Sequence, residues 1–173
     1  MKLRAGALAL LVACAALAGC TPELDWRELS VPEGRFAVLL PGKAQREART
    51  LNTAAGALTM TMYACSLKQG SMGVAYTDYP AAALAADQGR AQLDAARDAL
   101  LRNIGGGVPS EQEMMIEGFP GRQVYAEGRA GARLKARFVA AGDRLYQIAY
   151  IGERDGLAMA DIDMFLTSFK LRR

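Results

Sequence analysis

Short runs of alternating apolar and polar residues, broken by glycine- and proline-rich turns, fill most of this chain. No other feature restricts its fold as strongly. In Leu58-Thr-Met-Thr-Met-Tyr63 the residues Leu58, Met60 and Met62 fall on one side, and Thr59, Thr61 and Tyr63 on the other. That period of two is the mark of a half-buried strand. Further strands are predicted over 26–30, 35–40, 44–52 and 57–66, and through Met72, Val74 and Tyr76. Pro32-Glu33-Gly34, Pro41-Gly42 and Thr53-Ala54-Ala55-Gly56 supply the turns. The pattern then changes. An alanine-rich stretch over 81–103 carries Leu93, Leu100, Leu101 and Ile104 on a helical stripe, divided at Gly89 and stopped by Gly105-Gly106-Gly107 and Pro109. A second strand block follows over 111–117, 123–128, 133–140 and 144–151, with turns at 118–121, 129–131 and 141–143. Asp155-Gly156 opens a last helix whose Ile162, Phe165, Leu166 and Phe169 share a face. Two meandering blocks, each closed by helix, predict an α+β domain: a mostly antiparallel sheet covered by two or three helices.

The first 19 residues stand outside that pattern. Lys2 and Arg4 make a short positive start, 5–18 is an apolar run rich in Ala and Leu, and none of the 19 is acidic. As a helix the apolar run reaches roughly 21 Å, short of a ~30 Å hydrocarbon core, so it reads as a secretory signal peptide and not a membrane span. Without it the formal charge falls from +3 to 19 basic against 18 acidic residues, and the apolar fraction from 51% to roughly 47%. The basic excess therefore belongs to the leader and gives no reason to expect a nucleic-acid partner. The remaining 154 residues suit a single domain.

Leu17-Ala18-Gly19-Cys20 resembles the lipobox of bacterial lipoproteins. The resemblance implies cleavage before Cys20, diacylglycerol on its sulfur and an acyl chain such as palmitate on its amine, with no other cofactor. Residues 1–19 are then the cleaved leader, 20–25 a lipid-anchored tether and 26–173 the domain. The five residues from Thr21 to Asp25 reach only ~17 Å when extended, which keeps the domain beside the bilayer. Thr21 follows the cysteine where, in enteric-type sorting, an aspartate would mean inner-membrane retention. The resemblance thus implies a cell-envelope protein on the periplasmic side, at the outer membrane in preference to the inner.

Cys14 leaves with the leader and Cys20 carries lipid, so Cys65 is the one thiol of the mature domain. No internal disulfide can form, and stability must come from the core. Cys65 lies in a strand-like run and is expected to be buried and inert. There is no histidine in the chain, which removes His-based triads, His-ligated zinc and His general bases.

Trp26, the opening Gly34-Arg-Phe-Ala-Val-Leu-Leu-Pro41-Gly42, the Phe119-Pro-Gly121-Arg122 turn and the closing Arg144-Leu-Tyr-Gln147 … Phe165-Leu-Thr-Ser-Phe169 together resemble the PsbP-like fold, which also covers the DcrB-like bacterial lipoproteins. The likeness spans most of the mature chain. It implies a small binding or assembly module, and no catalytic motif belongs to the pattern.

The residues themselves offer little chemistry. Ser30, Ser66, Ser71, Ser110 and Ser168 lack a histidine partner. The triple glycine follows a helix, where a phosphate loop would follow a strand. Glu111 and Glu113 share one strand face and read as a solvated edge, Asp161 and Asp163 point to different helix faces, and the methionines alternate as core residues, so no metal site is expected. The one arrangement that suggests contact is Arg133-Leu-Lys-Ala-Arg137, where Arg133, Lys135 and Arg137 line one strand face. Such a face suits anionic lipid headgroups or an acidic envelope protein. The leading expectation is a non-enzymatic, membrane-anchored module with this face as its contact surface. A second is a periplasmic small-ligand receptor with a tyrosine-lined pocket between the sheet and helix 81–104. A third is a hydrolase using paired carboxylates.

Overall fold

The computed structural model describes residues 24–85 and 87–172. The leader, Cys20 and most of the tether lie outside the described residues. Seven antiparallel strands form the main sheet: β3 (Gln45–Thr53), β4 (Gly56–Leu67), β5 (Gly70–Asp78), β6 (Ser110–Ile116), β7 (Phe119–Glu127), β8 (Ala132–Ala141) and β9 (Arg144–Glu153). Their order across the sheet is β3-β4-β5-β9-β8-β7-β6. A second sheet of three strands joins β1 (Arg27–Val31) and β2 (Phe36–Leu40) to β10 (Lys170–Leu171) at the far end of the chain, in the order β1-β2-β10. The helices are α1 (Ala81–Ala85), α2 (Arg90–Asn103) and α3 (Met159–Ser168). The fold class is α+β, as the two-block pattern predicts.

Alternation along each strand divides the core in two. Leu134, Ala136 and Phe138 of β8 face α2 and bury with Leu93, Ala96, Val124 and Leu145. Val139 of β8 and Ile148 and Tyr150 of β9 face the other way, where α3 and the small sheet close over them with Phe36, Ile162, Phe165 and Phe169. One face of the main sheet thus carries α2, and the other carries α3 and the small sheet.

One boundary agrees with the sequence expectation and two differ. Gly89 does divide the alanine-rich helix, taking φ 74° ahead of α2. The turn expected over 118–121 is only Glu117-Gly118, both at positive φ (51° and 85°), and Phe119 already pairs with Ile116. Two left-handed residues make the tight hairpin turn whose twist matches the strands. Pro120 is tolerated within β7 because pairing to β8 starts one residue later, at Gly121. The last helix starts at Met159 and not at 156, and the sequence reading has no counterpart for β10, the two residues beyond Phe169.

Candidate functional site

The basic stripe is where sequence expectation and tertiary structure part. Arg133, Lys135 and Arg137 do share a face of β8, but α3 lies across it. Lys135 keeps only 9% of its surface, and its Nζ sits 2.5 Å from Asp163 Oδ1 on α3. Arg137 donates from Nε to Gln123 Oε1 at 3.0 Å and from Nη1 to the Leu166 carbonyl at 3.3 Å; burial holds its pKa below the usual arginine value. Arg133 Nη1 stands 3.7 Å from Met159 Sδ at the start of the helix. Strand alternation puts the three charges on one face, but that face is not left to solvent. It seats α3.

Tyr63, Tyr76, Tyr146 and Tyr150 are likewise core residues, while Tyr79 and Tyr125 are only partly buried. Phe36 packs edge-on against Tyr63, Tyr76 and Tyr146, with ring centroids 6.2–6.3 Å apart, and is stacked on Phe169 at 5.9 Å. Arg144 caps this cluster. Its guanidinium lies 4.4 Å from the Tyr76 ring centroid, donates to both carboxylate oxygens of Asp78 (Nη2 to Oδ2 at 2.8 Å) and reaches the Glu33 carbonyl at 2.8 Å. The Glu33 side chain accepts a hydrogen bond from Tyr63, which holds its carboxyl below the usual range. This node ties the β1–β2 turn to the main sheet. The tyrosine-lined pocket expected under helix 81–104 does not form: between α2 and the sheet the space is filled by Leu93, Ala96, Val124, Ala136 and Phe138.

Many of the acidic residues are held in place by arginines. Glu111 and Glu113, read from sequence as a solvated edge, face α2: Glu111 pairs with Arg97 and Arg122, and Glu113 with Arg90. Asp94 joins the same network through Arg122 and Arg97. Where carboxyl pKa values depart from normal they move down: Asp98 through its bond from Arg97, Asp143 through its bond from Arg35. A general acid needs the opposite shift. Among the described residues, no group of three or more Asp, Glu or Cys side chains is placed to hold a metal ion.

Of the large apolar residues that stay exposed, Val108, Met159 and Met164 lie apart, and two sit together at the tip of the β6–β7 hairpin. Met115 is 64% exposed and Phe119 38% exposed, although both are large and apolar. They point to opposite sides of the sheet. Met115, with Pro120, borders a cleft of about 310 Å3 at the N-terminal end of α2, lined also by Asp87, Arg90 and Glu113. Phe119 borders one of about 360 Å3 beside the small sheet, with Arg35, Tyr146 and Arg172. Sequence reasoning missed both as contact residues, because Met115 in a strand run reads as core and Phe119 reads as part of a turn. The signal available was their place at the turn of an edge hairpin. A third cleft, of about 460 Å3, opens at the end of the domain where the described chain begins, with Leu24, Lys43, Lys68 and Leu157 on its walls. Cys65 borders it but is only 6% exposed, and burial pushes its thiol pKa up, as a structural cysteine should behave.

With this geometry in view, the comparisons with known proteins are informative about the fold. The solution structure of cyanobacterial PsbP (CyanoP) from Synechocystis sp. PCC 6803 matches with a TM-score of 0.53 over 88% of this chain and 96% of that one, at 12% sequence identity. The chain therefore has a PsbP-like α+β fold, in agreement with the resemblance of its opening, hairpin and closing motifs. No protein-family model matches the sequence, and the search of curated proteins returns no match.

Proposed function

We propose that this protein is a lipoprotein of the bacterial cell envelope, anchored through acyl chains on Cys20, that works as a non-enzymatic binding or assembly module. The observation that carries the module reading is the pair of exposed apolar residues Met115 and Phe119 at one hairpin tip, on a fold whose charged side chains are largely paired within the chain. Exposed apolar anchors beside clefts are the usual centre of a protein contact, and arginine-bound carboxylates are poor acid–base groups. The PsbP-like fold of CyanoP is consistent with a small module of this kind. No described helix is long and apolar enough to cross a membrane, so membrane attachment rests on the lipobox-like Leu17-Ala-Gly-Cys20. Leu24, four residues beyond Cys20 in the sequence, lies on the wall of the cleft holding Lys43 and Lys68, which supports a reading in which that end of the domain faces the membrane.

The anchor is tested by fractionation and the module by crosslinking. Wild-type protein should stay in the membrane pellet through a high-salt wash, and Cys20→Ala should move to the soluble fraction with the same melting temperature. Cys20→Ala retained in the pellet would remove the lipid anchor. In-cell crosslinking with mass spectrometry should recover a stoichiometric envelope partner, and the double variant Met115→Ser with Phe119→Ser should lose it without losing stability. Full recovery with that variant would remove the hairpin tip from the contact.

A further inference from the structure

The two edges of the main sheet differ. At one edge, β6 follows Pro109, and its Glu111 and Glu113 are tied by arginines to α2. At the other, β3 is nine residues long, contains no proline, and is exposed from Gln45 to Thr50. Long uncovered edges invite pairing with another strand. The ladder between β3 and β4 closes at Thr53↔Gly56 around a two-residue turn. The odd-numbered residues of β3 therefore direct their amides and carbonyls to β4, and those of Arg46, Ala48, Thr50 and Asn52 point outward. Glu47 and Arg49 lie on the same sheet face, and neither has an ion-pair partner among the described residues.

We propose that β3 is a self-association edge, on which a second copy of this chain adds antiparallel in a register centred on Ala48. In that register Arg46 opposes Thr50, and Glu47 opposes Arg49 twice by symmetry. Ala48 pairs with itself, so the outward amides of Arg46, Ala48 and Thr50 find carbonyls. The Glu47–Arg49 pairs then occupy the non-hydrogen-bonded positions, where opposed side chains come closest. Charge selects this register over its neighbours. Centring on Glu47 would oppose two carboxylates, and centring on Arg49 two guanidiniums. The contact is isologous, with a two-fold axis normal to the sheet. Two copies held on one membrane would lie with their sheets along it. The inference does not depend on the lipid anchor or on the hairpin tip.

The test is co-expression of full-length chains carrying two different tags, mild detergent extraction, and capture of one through the other. Wild-type copies should be captured together. Glu47→Arg alone, or Arg49→Glu alone, should reduce self-capture by about tenfold or more, since two attractions become two repulsions. A Glu47→Arg copy mixed with an Arg49→Glu copy should restore it, because each opposed pair again carries opposite charges. Ala48→Pro should abolish capture while melting within a few degrees of wild type, as its amide points away from β4. Wild-type capture at background level, capture indifferent to the single reversals, or failure of the mixed pair to recover would overturn the proposal. So would another protein's strand recovered in place of the second copy.

Discussion

Lys135 of β8 and Asp163 of α3 meet at 2.5 Å over a lysine that keeps only 9% of its surface. The pair is uneven, because the Asp163 side chain is 48% exposed while Lys135 is nearly enclosed. Removing the acid strands a desolvated ammonium, whereas removing the lysine returns an acid to water. Asp163→Asn should therefore lower the unfolding free energy by about 1 kcal/mol, the half-exposed acid limiting the effect by screening. Lys135→Met should stay within about 0.5 kcal/mol of wild type or exceed it. Urea midpoints at constant m-value measure both. Equal losses for the two variants would refute the asymmetry.

Arg144 makes contacts that a lysine cannot copy: the fork to Asp78, the Glu33 carbonyl and the Tyr76 ring face. Arg144→Lys should cost about 2 kcal/mol, with loosening of the β1–β2 turn seen as faster amide exchange at Arg35, whose amide bonds to the Pro32 carbonyl.

Glu33, Asp98 and Asp143 have pKa values lowered on folding, the first by a bond from Tyr63, the others by bonds from Arg97 and Arg35. Lowered folded values mean that the unfolded chain binds protons first on acidification. Their contribution is complete above the ordinary values of 3.8 for Asp and 4.5 for Glu, and is lost as pH falls through the lower folded values. Melting temperature should hold through neutral and mildly acidic pH and then drop. Arg35→Gln, which frees Asp143, should make the acid side of that curve shallower.

Gly128 marks the close approach of the β7 end to the end of α2. A Cβ at this position would stand 2.0 Å from the Ile104 carbonyl oxygen, and the Arg129 amide bonds to that same oxygen. Gly128→Ala should cost about 2–4 kcal/mol in thermal or urea unfolding, since backbone cannot yield as a side chain would.

Cys65 should react with a thiol reagent at least about tenfold more slowly in the native protein than in denaturant, because burial both shields the sulfur and disfavours the thiolate. A native rate equal to the denatured one would show that the thiol is open to the neighbouring cleft.

The legible part of this protein is its local part. Period-two runs located the strands, Gly89 split the helix, and the turn residues located the hairpins, because each depends on neighbours a few positions away. The PsbP-like arrangement, too, was readable from motifs at the turn before β2 and at the closing helix. The bounds of the β6–β7 turn were less so, since Pro120 reads as a turn residue and is admitted to β7 only because pairing to β8 starts at Gly121.

Arg133, Lys135 and Arg137 show where local reading ends. That they share a face follows from the pleat of a single strand, and the sequence by itself decides it. What lies against the face was decided by α3, more than twenty positions further along, whose Asp163 and Leu166 carbonyl supply partners that no spacing rule predicts. The same holds for Tyr63, Tyr76 and Tyr146, gathered around Phe36 by the docking of one sheet on another. Alternation assigns a residue to a side of a strand. Only tertiary packing decides whether that side meets water, a helix or a second sheet, because the answer is set by segments distant in the chain that must bury their own apolar faces somewhere.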